Sequence, residues 1–137
     1  MITAVDSNIL FDVFGADPVF GPVSADALRT ALREGPLIAC EVVWAEVAGL
    51  FPSVAATQEA FNRLGLEFSP LQPKAAFEAG VAWKAYRQRR GTRTRVAADF
   101  LIGAHASCQA DRLLTRDRGF YRAYFKHLSI LDPTQAR

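Results

Sequence analysis

Four carboxylates, Asp6, Glu46, Asp99 and Asp117, each lie within or at the end of an apolar stretch of the sequence. A carboxylate buried alone is costly, and its ordinary escapes are protonation, a basic partner or a metal ion. Two such groups about 4 Å apart repel by roughly 4 kcal/mol at an effective dielectric near 20, so four ionised acids cannot gather bare. A shared Mg²⁺ or Mn²⁺ answers the problem, because hard cations take oxygen ligands and keep bound waters for chemistry.

Each acid also has a plainer explanation. Asp99 is enclosed by Val96-Ala97-Ala98 and Phe100-Leu101-Ile102, with Gly103 one turn later expected to leave room beside it for a ligand or another backbone. The competing explanation is an acid favoured by the helix dipole near an N-terminus. Glu46, flanked by Val42, Val43, Trp44, Val47 and Leu50, is preferred over Glu41, which capping explains; a gap on a solvent face is its alternative. Asp6 and Asp117 both suit turns that cap a following helix. Asn8 is expected to orient Asp6, and Thr115 to orient Asp117. Asp12 and Asp26 fall at helical positions where solvent exposure suffices, with Asp12 at most on the rim of a site.

Other chemistries recede. His105 and His127, the two histidines, belong to no Ser/His/Asp, Cys/His or HExxH arrangement, and the chain lacks both GxxxxGK[ST] and GxGxxG. Cys40 and Cys108 have no CxxC spacing and read as small buried thiols. Basic residues crowd two stretches, Lys84 to Arg95 and Arg112 to Arg122, although the net charge is only +2. Beside an acidic metal centre they would suit phosphate.

Elements that could position these groups follow from the hydrophobic pattern. Ile2 to Val5, Leu37 to Ala39, Leu66 to Phe68, Arg112 to Thr115 and Leu128 to Leu131 read as short strands. Between them lie expected helices: from a Ser24 cap to Glu34, Glu41 to Phe51, Val54 to Leu64 closed by Gly65, Lys74 to Arg90 with Phe77 and Val81 on one face and Trp83 with Tyr86 nearby, Val96 to Ala110, and Phe120 to Tyr124. The alternation argues for an α/β domain with a mainly parallel sheet, which puts Asp6 and Asp117 beyond the carboxyl ends of strands. Trp44, Phe51, Trp83 and Tyr86 read as core rather than as a partner groove.

With 137 residues, 50% hydrophobic and 22% charged, the chain is expected to form one domain over 1–137 and to be soluble. No secretory signal or uncharged run of membrane-span length is visible, so a cytoplasmic location with no membrane is expected. The tail after Asp132-Pro133 is expected to fray.

Together, Val5-Asp6-Ser7-Asn8-Ile9-Leu10, Trp44-Ala45-Glu46, Ala98-Asp99-Phe100-Leu101-Ile102-Gly103-Ala104-His105-Ala106 and Leu114-Thr115-Arg116-Asp117-Arg118-Gly119-Phe120-Tyr121 resemble a PIN-domain ribonuclease of the VapC toxin type. The resemblance spans nearly the whole chain, with Leu131-Asp132-Pro133 fitting the closing strand. It implies a three-layer α/β/α fold and a metal-binding acidic pocket of Asp6, Glu46, Asp99 and Asp117, with Asn8 and Thr115 in support. It also implies hydrolysis of RNA phosphodiester bonds with Mg²⁺ or Mn²⁺, a VapB-like antitoxin partner and a homodimer. Arg93, Arg95, Arg116 and Arg118 are the candidate phosphate contacts. Many relatives have Ser or Thr before the helix that carries the glutamate, where this chain has Cys40. The competing functions are a phosphotransfer or receiver domain, disfavoured because Asp6-Ser7-Asn8 replaces DxD, and a noncatalytic PIN-like module that binds RNA or protein.

Overall fold

The computed structural model describes residues 1–89 and 97–135. Five short strands, β1 (Thr3–Val5), β2 (Leu37–Ala39), β3 (Leu66–Phe68), β4 (Arg112–Leu114) and β5 (Ile130–Leu131), pair in the order β3-β2-β1-β4-β5, every pair parallel. Parallel neighbours need crossovers, and the connecting segments are helical: α1 (Ser7–Phe14) and α2 (Gly21–Glu34), α3 (Glu41–Ala48) and α4 (Val54–Leu64), α5 (Pro73–Gln88) and α6 (Ala97–Gln109), and α7 (Arg118–Tyr124). Right-handed crossovers put the connections running from β1 to β3 on one face and those leading to β4 and β5 on the other, giving three α/β/α layers. The direction of winding reverses between β1 and β4, and the crevice at such a switch point is where open α/β sheets place their ligands.

Strand positions agree closely with the sequence expectations, and the helix faces agree less well. α2 begins at Gly21 instead of a Ser24 cap: Phe20 occupies the N-cap without a side-chain bond, Pro22 lies in the first turn, and Ser24 is buried. α3 stops at Ala48, short of Phe51, and Cys40 precedes it in extended conformation without a capping side-chain bond. α4 follows expectation, with Ser53 capping Ala56 N and Gly65 closing the helix in the left-handed region at φ 78°. Val54, however, is 87% exposed, and Thr57 and Phe61 carry the buried stripe.

α5 turns inward a face other than the one that carries Phe77 and Val81. Phe77 and Val81 are 78% and 71% exposed, whereas Ala75, Ala79, Ala82 and Tyr86 are buried. The small alanines let α5 approach α6 closely, and that geometric gain outweighs the larger hydrophobicity of the other stripe. Trp83 and Tyr86 complete this interface against Phe100, with ring centroids 5.1 and 5.4 Å away, and Phe120 and Tyr124 of α7 join the same cluster. On the other side, Trp44 packs edge-on against Phe61 at 4.4 Å, and Phe51 lies near Phe14 and Phe61. The four aromatics expected in the core are therefore packed there.

Gly103 does not leave space for a ligand beside Asp99. A Cβ at that position would run into the buried Phe125 ring, so the glycine exists to let the segment after α7 lie against α6. Thr134 N and Oγ1 donate to Asp132 Oδ1 at 2.9 and 2.6 Å, and the end of the tail expected to fray, residues 136–137, lies outside the described residues. Among the described residues, no helix is long and apolar enough to cross a membrane.

Overpacking at a filled site costs about 1–3 kcal/mol, and Gly→Ala at a helical position with open space gains a fraction of that. Gly103→Ala should therefore lower the urea midpoint, while Gly49→Ala, with φ −63° and no atom near its added Cβ, should hold or raise it. Equal effects of the two changes would contradict the packing described.

Candidate active site

Asp6 is the hinge of the site. The β1–β4 register sets Val5 beside Leu114, and the next amide, Asp6 N, donates to Leu114 O at 3.0 Å, which brings Asp6 next to Thr115. Asp6 also caps α1, accepting from Ser7 N at 2.7 Å. Its other oxygen, Oδ2, accepts from Thr115 Oγ1 at 2.8 Å, Tyr121 Oη at 3.0 Å and Asn8 Nδ2 at 3.4 Å. The side chain is only 5% exposed. Burial pushes its pKa up to about 6, aided by the charge of Asp99 and opposed by the hydrogen bonds from Thr115, Tyr121 and Ser7. Burial, followed by the charge of Asp6, holds the Tyr121 hydroxyl far above its ordinary range, so it stays a donor.

The remaining acids approach Asp6 by different routes. Glu46, expected in an apolar setting, is exposed on α3; its Oε1 accepts from Ser7 Oγ at 3.0 Å, and that hydroxyl lies 3.4 Å from Asp6 Oδ1. Ser7 thus ties the two carboxylates together. Asp99 is half-buried in the first turn of α6, and its charge is felt by both Asp6 and Tyr121. Asp117 precedes α7, but its side chain does not cap that helix; its amide donates to Thr115 Oγ1 at 3.0 Å, and its charge also reaches Tyr121. Thr115, expected to orient the second aspartate, instead gives its proton to Asp6 and accepts from the Asp117 backbone. Asn8 bridges the same pair, its Nδ2 lying 3.2 Å from Thr115 Oγ1.

Among the described residues, no group of three or more His, Cys, Asp or Glu side chains is spaced to hold a metal ion. The donor chemistry nevertheless fits a hard divalent cation: all four acids offer oxygen, and Asp6 remains hard to ionise despite its protein donors. The conformation is one in which hydroxyls of Ser7, Thr115 and Tyr121 donate to Asp6 and Glu46. Local sequence pattern does not single out Ser7 or Tyr121. The available signal is positional, since Ser7 opens α1 next to Asp6 and Tyr121 lies one helical turn after Asp117.

Arg116, a candidate phosphate contact, is bonded to Asp12. Its Nε and Nη2 donate to Asp12 Oδ2 and Oδ1 at 2.7 and 2.9 Å, and the guanidinium lies 4.0 Å over the Phe20 ring. Asp12, expected near solvent, is 3% exposed and also accepts from Ser24 Oγ at 2.8 Å. This trio fastens the loop carrying Thr115 and Asp117 to α1 and α2. Arg118 is half-buried at the start of α7, and Arg93 and Arg95 lie outside the described residues. Asp26 is exposed and pairs with Arg29 as a surface group. His105 is buried against Ser69 Oγ at 3.0 Å and His127 is exposed, both away from catalytic arrangements. Cys40 is buried; the half-buried Cys108 thiol donates to Glu78 Oε2 at 3.1 Å, and burial followed by that contact pushes its pKa up to about 11.

Residues 3–126 match the PIN domain family. The chain belongs to that family. Its fold is shared with solved structures of low sequence identity. VapBC2 from Rickettsia felis, bound to a DNA fragment from its promoter, aligns with a TM-score of 0.74 at 19% identity over 96% of this chain and 98% of that one. VapBC-1 from nontypeable Haemophilus influenzae gives 0.71 at 20% identity over 98% and 100%. FitAcB from Neisseria gonorrhoeae gives 0.69 at 18% identity over 99% and 100%. No curated protein matches the chain significantly.

Two outcomes test the electrostatics of this PIN domain. The raised pKa means that folded Asp6 holds its proton more tightly than the unfolded chain does. Its contribution to stability is thus greatest below about pH 4, falls as pH rises through about 6, and then levels off. The shift from 3.8 to about 6 corresponds to roughly 3 kcal/mol. Asp6→Asn should stabilise the metal-free protein at pH 7 by roughly 1–3 kcal/mol and flatten that pH dependence in urea titrations. Arg116→Met, which strands Asp12 in the interior, should cost about 3–5 kcal/mol, and Asp12→Asn in the same chain should recover part of it.

Proposed function

We propose that the chain is a metal-dependent endoribonuclease that hydrolyses RNA phosphodiester bonds and acts as the toxin of a toxin–antitoxin pair. Asp6, Glu46, Asp99 and Asp117 are the catalytic and metal-holding acids, with Asn8 and Thr115 in support, and Mg²⁺ or Mn²⁺ as cofactor. The observation that carries the reading is Asp6: a buried carboxylate at the switch point of a PIN fold, faced by Asp99 and tied through Ser7 to Glu46. A carboxylate with so displaced a pKa in a crevice is characteristic of functional sites.

A divalent cation held by these acids supplies polarisation of the scissile phosphate and a more acidic bound water for in-line attack. The chain's own residues do the positioning. Thr115 and Tyr121 occupy Oδ2 of Asp6, which leaves Oδ1 beside the Ser7-bound Glu46. The Asp12–Arg116 bond fixes the loop that carries Asp117, and Arg118 at its far side offers positive charge to RNA.

The partners in this reading are RNA, a VapB-like antitoxin and a second copy of the chain. Support for the antitoxin comes from the structural neighbours, which are VapBC, FitAB and toxin–antitoxin complexes. A noncatalytic RNA- or protein-binding module is the second reading, favoured by one observation: the described acids are not gathered at ligating distance.

Purified protein incubated with Mn²⁺ and total cellular RNA separates the two readings. Cleavage that falls about 10²–10³-fold in Asp99→Asn, with the variant still folded, is the expected result. Mn²⁺ at a hundredfold excess over its Kd should also add about 2.7 kcal/mol of stability, seen as a raised Tm. A protein that neither cleaves nor gains stability with millimolar metal belongs to the noncatalytic reading.

A further inference from the structure

We propose that the cleft between α5 and the turn following α7 is a binding track for single-stranded RNA leading away from the acidic site, an inference that rests on the ribonuclease reading above. The cleft has a volume of about 380 Å³. α5 contributes Ala82 and Ala85 to it, Arg89 lies at the C-cap of that helix, α7 contributes Tyr124, and the following turn contributes Lys126 and His127. None of these residues takes part in the acidic site.

Three features point to a nucleic-acid strand as the occupant. The first is charge: Arg89 and Lys126 are exposed along the cleft, and cationic grooves hold single strands by their phosphates. The second is a stacking platform. Arg89 places its guanidinium 5.4 Å from the Tyr124 ring centroid, and that ring is held by Tyr86 and Phe100 at 5.7 and 5.6 Å. A guanidinium laid on an aromatic ring presents a flat outer face on which an unstacked base can lie. Small side chains beneath it, Ala82 and Ala85, leave the floor open. The third feature is continuity. Tyr121, which donates to Asp6, and Tyr124 are three residues apart on α7, about 4.5 Å along the axis, so one short helix links the acidic site to the wall of the cleft.

Glu78 sets the direction. It lines the cleft toward the start of α5, where its carboxylate accepts from Cys108, and it repels phosphate there. The strand's backbone therefore follows the Arg89–Lys126 rim.

Fluorescence anisotropy with a labelled single-stranded RNA about 12 nucleotides long, in EDTA to prevent cleavage and across a salt series, tests the track in the full chain. Arg89→Glu with Lys126→Glu should raise Kd about tenfold or more and lower the salt slope by about 1.4, roughly 0.7 for each phosphate no longer neutralised on a single strand. Arg33→Glu, an equal charge change per site on α2, should alter Kd less than about twofold. An unchanged Kd and slope in the double variant, or an equal effect in Arg33→Glu, overturns the track. Duplex DNA bound as tightly and weakened as much by the double variant overturns the single-strand assignment. Failure of the unaltered protein to cleave RNA with Mn²⁺ counts against the ribonuclease reading alone, because the binding measurement needs no catalysis.

Discussion

Burial of one carboxylate at the end of the central strand governs the arrangement around it. Asp6 cannot avoid the interior, because β1 lies between β2 and β4 and leads directly into α1. Each neighbour is shaped by the need to satisfy that charge: the Ser7 amide at the helix N-terminus, the Thr115 hydroxyl delivered by the β1–β4 register, and the Tyr121 hydroxyl delivered by α7. Even with these donors the group stays reluctant to ionise, since burial and Asp99 act against them.

A second electrostatic unit keeps the first in place. The forked bond from Arg116 to Asp12, extended by Ser24, crosses from the β4–α7 loop to α1 and α2. Its planar guanidinium matches both oxygens of one carboxylate and rests on Phe20, a geometry that a lysine could not reproduce. The two units divide the work: one presents charge at the crevice, and the other removes freedom from the loop beside it.

Much of the fold was legible from local pattern. β-Branched residues running into Asp6-Ser7-Asn8 marked β1, short apolar segments between helices marked β2 and β3, and Gly65 marked the end of α4, because such signals are decided within a few residues. The ordered acidic motifs indicated the PIN family, to which the chain belongs. Which helix face turns inward was less legible. In α5, Phe77 and Val81 outrank alanine in hydrophobicity but not in how closely they allow α6 to approach. Gly103 read as room for a ligand or another backbone, and that room is taken by the ring of Phe125, far along the chain.

The sequence by itself determined the α/β alternation and the placing of Asp6 and Asp117 beyond the ends of strands, both properties of short windows. Tertiary structure alone decided that Glu46 is exposed and held by Ser7, that Asp12 is buried with Arg116, and that Tyr121 and Thr115 share one oxygen of Asp6. These pairings join residues 39 to 115 positions apart. Strand register and helix docking set such distances, and no local propensity encodes them.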